Sequence, residues 1–535
     1  MSSISMPLPI STPIPMPMPT PHYSEDLLAK ELSQLSFKDR NDYQDEIHCV
    51  TCLAIDETQI LIEESIHELQ IEIDNKIPDT GKTAYLQSQR TVKGRTFVNS
   101  RQFRLRFLRY ELFNIQKSAI RMLKWLDKAC DLFGAVVLER PIRLSADFTV
   151  EEQKVFRKGY VQLMPVRAFG TGRRVVCCLP YDEGWYTTSK QIILKILMYT
   201  SWVIGNDIDS QRKGTVLISM FEPSFPQKPT HEAPLRPSDH WLMTVRTSAM
   251  HICTPDTPFF RLRRNFFTMA IGSNNRTRLR LHIGTPIELR YILQVYGIPI
   301  DSIPITYTGK MKLSFVRQWL RIRNMIEDQE KLIANNFSTN NIIVEAPYPN
   351  DILFKQGDSF TSHPGNEMLR TLIDSKVKQL YEMENSKPSK KKELILEIMD
   401  EMQHTYSGRF LYWHQCSHMS DCWWVVLHIN GNTNTDQKIV FSKIEPKFRK
   451  QYYKKQQQQK VIKTRYINEQ QELILHQNNM VTDAQKNNSI NCGDGNNYDS
   501  DTTMATHHDS SNDSDVSGNF LRAPPPKLYS RRFLV

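Results

Sequence analysis

The apolar positions of the chain change their spacing near residue 135. Before that point they recur three or four residues apart, as on one face of a helix, beginning with Leu28, Leu32 and Leu35. The block 98–134 continues this spacing with Phe107, Leu108, Leu112, Ile115, Ile120, Leu123 and Leu126. The pattern therefore predicts a helical N-terminal region over 23–97 and a second helical part over 98–134.

Beyond residue 135, short apolar runs rich in β-branched residues alternate with amphipathic helices. The predicted strands are 160–166, 173–179, 214–220, 245–253 and 278–283, and the predicted helices among them are 187–204 and 258–271. Strands separated by helices favour βαβ units and a largely parallel sheet. We therefore expect a multi-domain α/β protein with a mixed, mostly parallel sheet flanked by helices.

The rest of the chain divides into a charged helix, a small mixed segment and polar tails. The small segment combines predicted helices at 364–382 and 391–404 with a strand-like run at 409–427, which indicates an α+β domain. Both chain ends contain too few apolar residues to build a core, so they are predicted to be disordered. The predicted divisions are a Pro/Met-rich tail 1–22, helical parts 23–97 and 98–134, a sheet-containing lobe 135–312, a connector helix 313–345, the small domain 346–455 and a low-complexity tail 456–535.

Charge and cysteine content narrow the classes of partner and compartment. The 535 residues carry a formal net charge of +10, which favours anionic membranes, phosphorylated headgroups or nucleic acid as partners. No apolar run is long enough for a transmembrane helix, and nine scattered cysteines without a signal peptide indicate reduced thiols. We expect a cytoplasmic protein, and its charge leaves a membrane-peripheral or nuclear location open.

Several phrases between residues 98 and 312 together resemble the CRAL-TRIO lipid-binding family. In chain order they are Arg106-Phe107-Leu108-Arg109-Tyr110, the strands 214–220 and 249–255, the helix 259–271, the basic segment 276–283 and Ile303-Pro304-Ile305-Thr306-Tyr307-Thr308-Gly309. Thr308 stands where the family commonly has glycine, and a long insert separates Phe221 from Trp241. The resemblance implies binding, transfer or sensing of a hydrophobic ligand, such as a phospholipid or phosphoinositide, without catalytic residues or cofactors.

The resemblance also implies where a lipid would lie. Helix 258–271 corresponds to the family's gate helix, so we expect its apolar stripe to lie over the sheet; ordinary packing of an amphipathic helix is the alternative. The residues expected to contact lipid are Met198, Trp202, Ile218, Met220, Phe259, Leu262, Phe266 and Met269. Arg276, Arg278 and Arg280 have strand spacing, so they are expected either to bind a headgroup together or to line a solvated edge strand.

Residues 350 to about 450 resemble an uncharacterised domain common in stramenopile proteins, diatoms especially. The matching positions are Asn350-Asp351-Ile352-Leu353-Phe354-Lys355-Gln356-Gly357, His363-Pro364-Gly365-Asn366, Tyr381, Lys392, Ile395, Ile398, Gly408-Arg409-Phe410-Leu411, Trp424, Lys443 and Phe448-Arg449. Lys355 and Gln356 replace the usual Gly-Arg, and Ser407 replaces a glycine. The resemblance implies an interaction module of unknown function.

The end of this domain is strongly basic. Between Lys443 and Arg465 there are nine Lys or Arg residues and one acid, with aromatic residues interleaved. The candidate nucleic-acid or anion-binding residues are Lys443, Lys447, Arg449, Lys450, Lys454 and Lys455. Phosphate contacts combined with stacking would suit a nucleic-acid-associated regulator, which is the alternative function. A nuclear-localisation patch or a solvated helix would have the same composition.

Residue types that could support catalysis or metal binding are present, but their spacing argues against both. His414, Cys416, His418 and Cys422 lie within nine residues, without the spacing of a zinc finger. Cys49 and Cys52 form a CxxC that follows a predicted helix instead of preceding one, so packing is favoured over redox chemistry. Cys177 and Cys178 lie in a predicted buried strand and are expected to be inert. We therefore expect no enzyme activity and no metal site.

Overall fold

The computed structural model describes residues 23–180, 182–221, 243–334, 342–355, 362–382, 388–415, 422–429 and 434–489. The chain divides into two compact units, Met1–Lys455 and Gln456–Val535. Both sheets belong to the first unit. None of the described helices is long and apolar enough to cross a membrane.

Helices make up most of the described residues. In the first half they are α1 (Tyr23–Ser33), α2 (Phe37–Ile47), α3 (Gln59–Ile71), α4 (Thr83–Ser88), α5 (Val92–Val98), α6 (Arg101–Tyr110), α7 (Ile115–Phe133), α8 (Leu144–Asp147), α9 (Val150–Arg157), α10 (Glu183–Thr187), α11 (Lys190–Ile204), α12 (Ile208–Lys213) and α13 (Pro258–Ala270). The later helices are α14 (Ser273–Arg276), α15 (Pro286–Val295), α16 (Ser314–Ala334), α17 (Pro364–Glu382), α18 (Pro388–His404) and α19 (Asn434–Ser489).

Nine strands form two sheets within the described residues. They are β1 (Val161–Leu163), β2 (Arg174–Cys178), β3 (Thr215–Met220), β4 (Thr247–Thr254), β5 (Leu279–Ile283), β6 (Ile343–Val344), β7 (Ile352–Phe354), β8 (Phe410–Gln415) and β9 (Cys422–Leu427). The first sheet has the order β1-β2-β3-β4-β5, with β1 antiparallel to β2 and the other neighbours parallel. This confirms the mostly parallel sheet that the alternation of strands and helices predicts.

The two faces of the first sheet bury separate apolar cores. Strand β3 shows the division, because alternate side chains of a strand point to opposite faces. Leu217 packs against the core that α6, α7 and α11 build, whereas Ile218 and Met220 belong to the core beneath α15. The lobe is therefore a layered α/β structure, and the N-terminal helical block forms part of its first core.

Polar side chains fix where the helices next to the sheet begin. Thr257 accepts a hydrogen bond from the backbone N–H of Phe260, and Pro258 occupies the first position of α13. Thr285 and Glu288 form a reciprocal capping box at the start of α15. Such caps satisfy backbone groups that a helix leaves unpaired, so both starting points are encoded locally.

A single carboxylate joins the N-terminal helices to the sheet. Glu46, in α2, is fully buried and forms ion pairs with Arg246 at 2.7 Å, Arg173 at 3.5 Å and Arg278 at 3.6 Å. These arginines directly precede β4, β2 and β5 in turn. The remaining parallel strand, β3, is preceded by Gly214, whose φ is +81° and where a Cβ would lie 2.7 Å from the Arg246 carbonyl oxygen. The amino ends of all four parallel strands therefore meet around this carboxylate.

The second sheet belongs to a small α+β domain. Its order is β6-β9-β8-β7, with β7 parallel to β8 and the other pairs antiparallel. Helices α17, α18 and α19 pack on one face, around Phe354, Phe410 and Phe448. The fold class predicted for this segment is confirmed.

Helix α16 is more than a link between the lobe and this small domain. Its Trp319 is buried in the core of the lobe and donates a hydrogen bond to Glu345 at 2.6 Å. Arg174 of β2 pairs with the same carboxylate at 2.9 Å. Nearby, the Tyr348 hydroxyl donates to Asp207. Glu345 and Tyr348 lie in the segment between β6 and β7 of the second sheet. Their polar contacts with the lobe therefore hold the two sheets together.

Some element boundaries differ from the sequence predictions. The helix expected over 187–204 begins later, at Lys190, as α11, and a separate short helix, α10, ends at Thr187. The residues beyond 456 were expected to lack structure, but α19 continues to Ser489. Gln and Lys are good helix formers, so this stretch can be helical although no side chain of residues 456–475 is buried. Residues 1–22 and 490–535 lie outside the described residues.

Replacing Glu46 by Gln should destabilise the lobe strongly. The substitution leaves three arginines around a neutral group, and removing one partner of a buried ion pair typically costs about 3–5 kcal/mol. Urea denaturation followed by tryptophan fluorescence would measure the change. Glu445→Gln is the matched control, because Glu445 pairs with Arg449 at the exposed surface and should change the free energy of unfolding by less than about 1 kcal/mol. Equal effects of the two substitutions would contradict the role assigned to Glu46.

Candidate functional site

Helix α13 exposes the apolar stripe that was expected to lie over the sheet. Phe259, Leu262, Phe266 and Met269 are 46%, 37%, 56% and 38% exposed. The predicted orientation is therefore wrong: the stripe points away from the sheet. We call these four side chains the α13 apolar face.

Different residues attach α13 to the sheet. Phe260 is buried in a small core with Ile252 and Leu279, and Phe267 packs against it. The sequence has two Phe-Phe pairs seven positions apart, so apolar stripes exist on both sides of the helix. The stripe containing Phe260 and Phe267 is the one that packs, and the adjacent stripe remains outside.

Polar contacts reinforce this orientation. Arg264 is buried and donates to the Thr254 hydroxyl at 2.8 Å. Asn265 is buried and accepts a hydrogen bond from the backbone N–H of Ser24 in α1 at 3.2 Å. Turning the helix over would leave these buried polar groups unpaired, at a cost of about 1–3 kcal/mol each. The outward direction of the α13 apolar face is therefore fixed by hydrogen bonds on the opposite side.

An arginine surrounded by aromatic rings lies beside this face. Arg263 donates to the Tyr186 hydroxyl at 3.2 Å, and its guanidinium carbon lies 4.9 Å from the ring centre of Phe221 and 5.3 Å from that of Phe267. Burial among these rings lowers the pKa of Arg263. Tyr186 and Phe221 follow β2 and β3, so this cluster stands at the carboxyl edge of the sheet, where parallel sheets usually bind ligands.

The residues expected to line a lipid pocket do not lie together. Met198 and Trp202 are buried in the core with α6 and α7, and Ile218 and Met220 are buried in the core on the other face of the sheet. The α13 apolar face is separate from both. The arrangement of the described residues thus offers no common cavity for the eight predicted side chains.

A small cavity lies between β1 and the neighbouring helices. Its volume is about 10 Å³, which is about the space that one water molecule needs. It is lined by Val155, Phe156, Tyr160, Val161, Trp185, Ile193 and Ile196. Pockets that enclose a drug-sized ligand usually measure about 300–1,000 Å³. This cavity is therefore too small to enclose a phospholipid.

The three arginines expected to bind a headgroup contact the N-terminal helices. Arg276 pairs with Glu31 of α1 at 2.5 Å, Arg278 pairs with Glu46 at 3.6 Å, and Arg280 donates to Gln44 at 2.9 Å. Residues more than 200 positions apart thus meet here, and the three arginines attach α1 and α2 to the lobe. Their predicted role towards a headgroup remains a prediction.

Two buried histidines form a direct hydrogen bond between β4 and β5. His251 Nδ1 lies 2.9 Å from His282 Nε2, and the rings are stacked with centres 5.2 Å apart. Burial and the neighbouring Arg280 lower the pKa of His282 to about 4. Burial also lowers the pKa of His251. The pair is therefore neutral near pH 7. The sequence analysis did not predict this contact, because the two residues are 31 positions apart.

Other titratable groups surround the histidine pair. Tyr296, which follows α15, lies 4.6 Å from His251 and 5.2 Å from His282 between ring centres, and it stacks on His48. Arg280 adds positive charge from β5. The positive charge and the burial act in the same direction, since both oppose protonation of either imidazole.

The signature residues of the small domain form a structural clamp. Asp351 accepts hydrogen bonds from the guanidinium of Arg409 at 2.7 and 3.0 Å. Asn366 accepts from the Leu353 N–H at 2.9 Å and donates to the Leu353 carbonyl at 3.1 Å. A Cβ at Gly365 would lie 2.1 Å from the Asp351 carbonyl oxygen. These positions therefore connect β7, α17 and β8, and the turn from 356 to 361 lies outside the described residues.

The basic residues of α19 differ in their contacts and in their exposure. Lys443 and Lys447 lie over the rings of Tyr412 and Phe354, each 5.9 Å from the ring centre. Partial desolvation, with Arg370 and Lys443 nearby, lowers the pKa of Lys447. Arg449 pairs with Glu445 at the surface. Lys450 and Lys454 are exposed, and Lys455 is half-buried.

Burial disfavours the thiolate form of Cys177, Cys178 and Cys253. Burial raises the pKa of Cys178 to about 12, and it raises the pKa of Cys177 and Cys253 as well. Cys49 is buried and Cys52 is half-buried. The described residues contain no group of three or more His, Cys, Asp or Glu side chains arranged to hold a metal ion. Of the four clustered candidates, Cys416 and His418 lie outside the described residues.

Comparison with known proteins identifies one segment. A family model described as Domain of unknown function (DUF6824) matches residues 351–441, from β7 into the first turns of α19. This confirms the prediction of an uncharacterised C-terminal domain. No curated protein matches the chain. No CRAL-TRIO family match was found.

The histidine pair predicts a loss of stability in mild acid. Because the folded-state pKa of His282 is about 4 and that of an unfolded histidine is about 6.5, the unfolded chain binds the proton first as pH falls. The contribution of His282 to the free energy of unfolding is fully present above about pH 6.5. It falls by on the order of 3 kcal/mol as the pH is lowered towards 4. Urea denaturation at successive pH values would measure it.

The variant His282→Gln isolates this contribution. Gln retains a hydrogen-bonding group but does not titrate, so the slope of unfolding free energy against pH between 6.5 and 4 should fall by about one proton. His404→Gln is the control, because His404 is exposed. An unchanged slope in His282→Gln would rule out the pair as the source of acid sensitivity.

Proposed function

We propose that this protein binds lipid at a membrane surface through the sheet-containing lobe, with the small C-terminal domain as an interaction module. The observation that carries the proposal is the α13 apolar face, in which four large apolar side chains point outward from a helix packed on the sheet. An exposed apolar stripe of this kind often marks an interaction surface. The occupant we propose is an anionic phospholipid bilayer.

Charge supports an anionic bilayer as the partner. Helix α13 contains Arg261, Arg263 and Arg264 and no acidic residue. Of these, Arg261 is exposed and pairs with Asp256 at 3.0 Å. The whole chain carries a net charge of +10. An amphipathic helix lying in the membrane interface combines apolar burial with attraction to anionic headgroups. Helix α13 supplies the apolar face, Arg263 stands half-buried beside it, and the net charge of the chain supplies the wider attraction.

The interior of the lobe, as far as its residues are described, favours one form of lipid contact. The cavity beside β1 is too small for a phospholipid, and the predicted pocket residues lie in separate cores. Lipid contact in this conformation therefore takes place on the outer side of α13. Uptake of a whole lipid molecule would require α13 to move away from Phe221, Ile252 and Leu279, which it covers.

Replacing Phe266 by Glu should weaken binding to vesicles. Phe266 is the most exposed member of the α13 apolar face, and transferring a Phe side chain from water to an apolar environment contributes about 1.5–3 kcal/mol. The full-length variant should bind vesicles of phosphatidylcholine and phosphatidylserine at least about tenfold more weakly. Co-sedimentation over a series of lipid concentrations would measure the change.

Val295→Glu is the matched control for this test. Val295 is also a large, exposed apolar residue, but it lies on α15, which packs on the opposite face of the sheet. It should leave vesicle binding unchanged. Absence of vesicle binding by the unaltered protein, or equal losses in both variants, would overturn the proposal. Vesicles of pure phosphatidylcholine separate the charge contribution from the apolar one.

A second candidate function is nucleic-acid binding through α19. The observation in its favour is that Lys450 and Lys454 are exposed, whereas the one acid of this basic stretch, Glu445, pairs with Arg449. Lys447 and Lys443 lie over aromatic rings near the same surface. The proposal is that these cations contact phosphates, with affinity that falls as salt rises.

Substituting Lys450 and Lys454 together by Ala should reduce the salt dependence of RNA or DNA binding. Each lost phosphate contact lowers the slope of log affinity against log salt by about 0.7–0.9. Fluorescence anisotropy of the full-length chain with single-stranded and duplex oligonucleotides would measure the slope. Lys154→Ala is the control, because Lys154 is exposed but lies on α9. An unchanged slope in the double variant would count against this function.

A further inference from the structure

The first described residues of the chain lie beside the α13 apolar face. Helix α1 begins at Tyr23, and the backbone N–H of Ser24 donates to the side-chain oxygen of Asn265 at 3.2 Å. Residues three and four positions apart are neighbours on the surface of a helix, so Asn265 lies next to both Leu262 and Met269. The start of α1 is therefore at the border of the α13 apolar face.

Several contacts hold α1 in this place. Ser24 is 4% exposed. Leu28 packs against the small core that contains Phe260, and Glu31 pairs with Arg276 at 2.5 Å. These contacts occur from the first turn of α1 to its last turn. The position of its first residue relative to α13 is therefore fixed by apolar packing as well as by polar bonds.

The sequence that precedes α1 suits an apolar surface. Residues 1–22 contain no Asp, Glu, Lys or Arg, and from Ile14 to Pro19 apolar residues alternate with proline. Proline fixes its own φ angle and restricts the residue before it, so such a segment loses less conformational entropy on binding than an ordinary chain. Methionine sulfur makes favourable contacts with aromatic rings, and the α13 apolar face exposes Phe259 and Phe266.

The length of segment 14–19 matches the length of the face. Phe259 and Met269 are ten positions apart, which is about 15 Å along a helix axis. Six residues of proline-rich chain span about 19 Å at about 3.1 Å per residue. The three residues between Pro19 and Tyr23 add about 10 Å of reach. Segment 14–19 can therefore reach the whole face while α1 keeps its contacts.

We propose that segment 14–19 docks on the α13 apolar face of the same chain when no membrane is present. The segment covers the four exposed apolar side chains, and a bilayer has to displace it. The docking itself is independent of lipid. The competition with a bilayer concerns the regulation of the same surface, so this part of the inference rests on the proposed membrane binding.

Tethering makes a weak contact sufficient for this competition. A segment joined through a short linker has an effective concentration on the order of millimolar. With an intrinsic Kd of about 0.1 mM, the face is then covered in about nine of ten molecules. Because vesicles bind only the open form, docking lowers the apparent affinity for vesicles about tenfold.

Cross-linking of the full-length protein tests the docking without lipid. The photoreactive amino acid p-benzoylphenylalanine replaces Met16, and mass spectrometry identifies the cross-linked peptides after irradiation of the monomer isolated by size-exclusion chromatography. The expected partner is segment 258–271. Addition of Phe266→Glu should lower the yield of this cross-link, whereas Val295→Glu should leave it unchanged. Cross-links to other segments alone, or only between two copies of the chain, would overturn the proposal.

Vesicle binding tests the competition. The double variant Met16→Ser, Met18→Ser should bind vesicles of phosphatidylcholine and phosphatidylserine about threefold to tenfold more tightly than the unaltered protein, because the open form is more populated. The control is Ile462→Ser, Ile467→Ser, which changes two exposed apolar residues of α19 and should leave the affinity unchanged. Equal or weaker binding by the first variant would contradict the competition.

The two experiments separate this inference from the proposed membrane binding. A cross-link to segment 258–271, with no vesicle binding by any variant, would support the docking and overturn the membrane function. Vesicle binding that is the same with and without Met16→Ser, Met18→Ser, together with no cross-link to segment 258–271, would overturn the docking and leave the membrane function supported.

Discussion

The buried carboxylate of Glu46 is the constraint on which the rest of the lobe depends. Arginines stand directly before three of the four parallel strands, and burying such charges without compensation would cost several kcal/mol each. Glu46 of α2 supplies a negative charge that lies within 3.6 Å of all three arginines. The N-terminal helices are therefore part of the sheet structure, and the strands are aligned at their amino ends by electrostatics as well as by backbone hydrogen bonds.

Polar contacts on the inner side of α13 decide which face of this helix is exposed to solvent. Helix α13 buries Arg264 and Asn265 towards the protein, where each has a hydrogen-bond partner. Because the helix has apolar residues on two sides, attaching it through Phe260 leaves Phe266 outside. The feature that supports lipid binding is thus a consequence of how α13 is attached.

In the small C-terminal domain, the residues that carry the family resemblance stabilise the fold. Asp351, Asn366 and Arg409 satisfy one another and the backbone around β7. The hydrogen-bonding groups of these residues are used within the domain. Their role in the fold therefore explains why they occur at these positions without reference to a ligand. Its attachment to the lobe through Glu345 and Tyr348 makes this domain part of the same compact unit as the first sheet.

Local sequence patterns were enough to predict the class of fold and most of the elements. Alternation of strands and helices predicted the parallel sheet, and helical spacing predicted α13 almost to its ends, because both patterns are local. What the sequence left open was which stripe of α13 packs, since Phe259 and Phe260 are equally apolar. It also could not place Glu46 beside arginines 127 to 232 positions away, nor bring His251 to His282. Those contacts depend on the order of strands and on which buried groups find partners, so only the tertiary structure decided them.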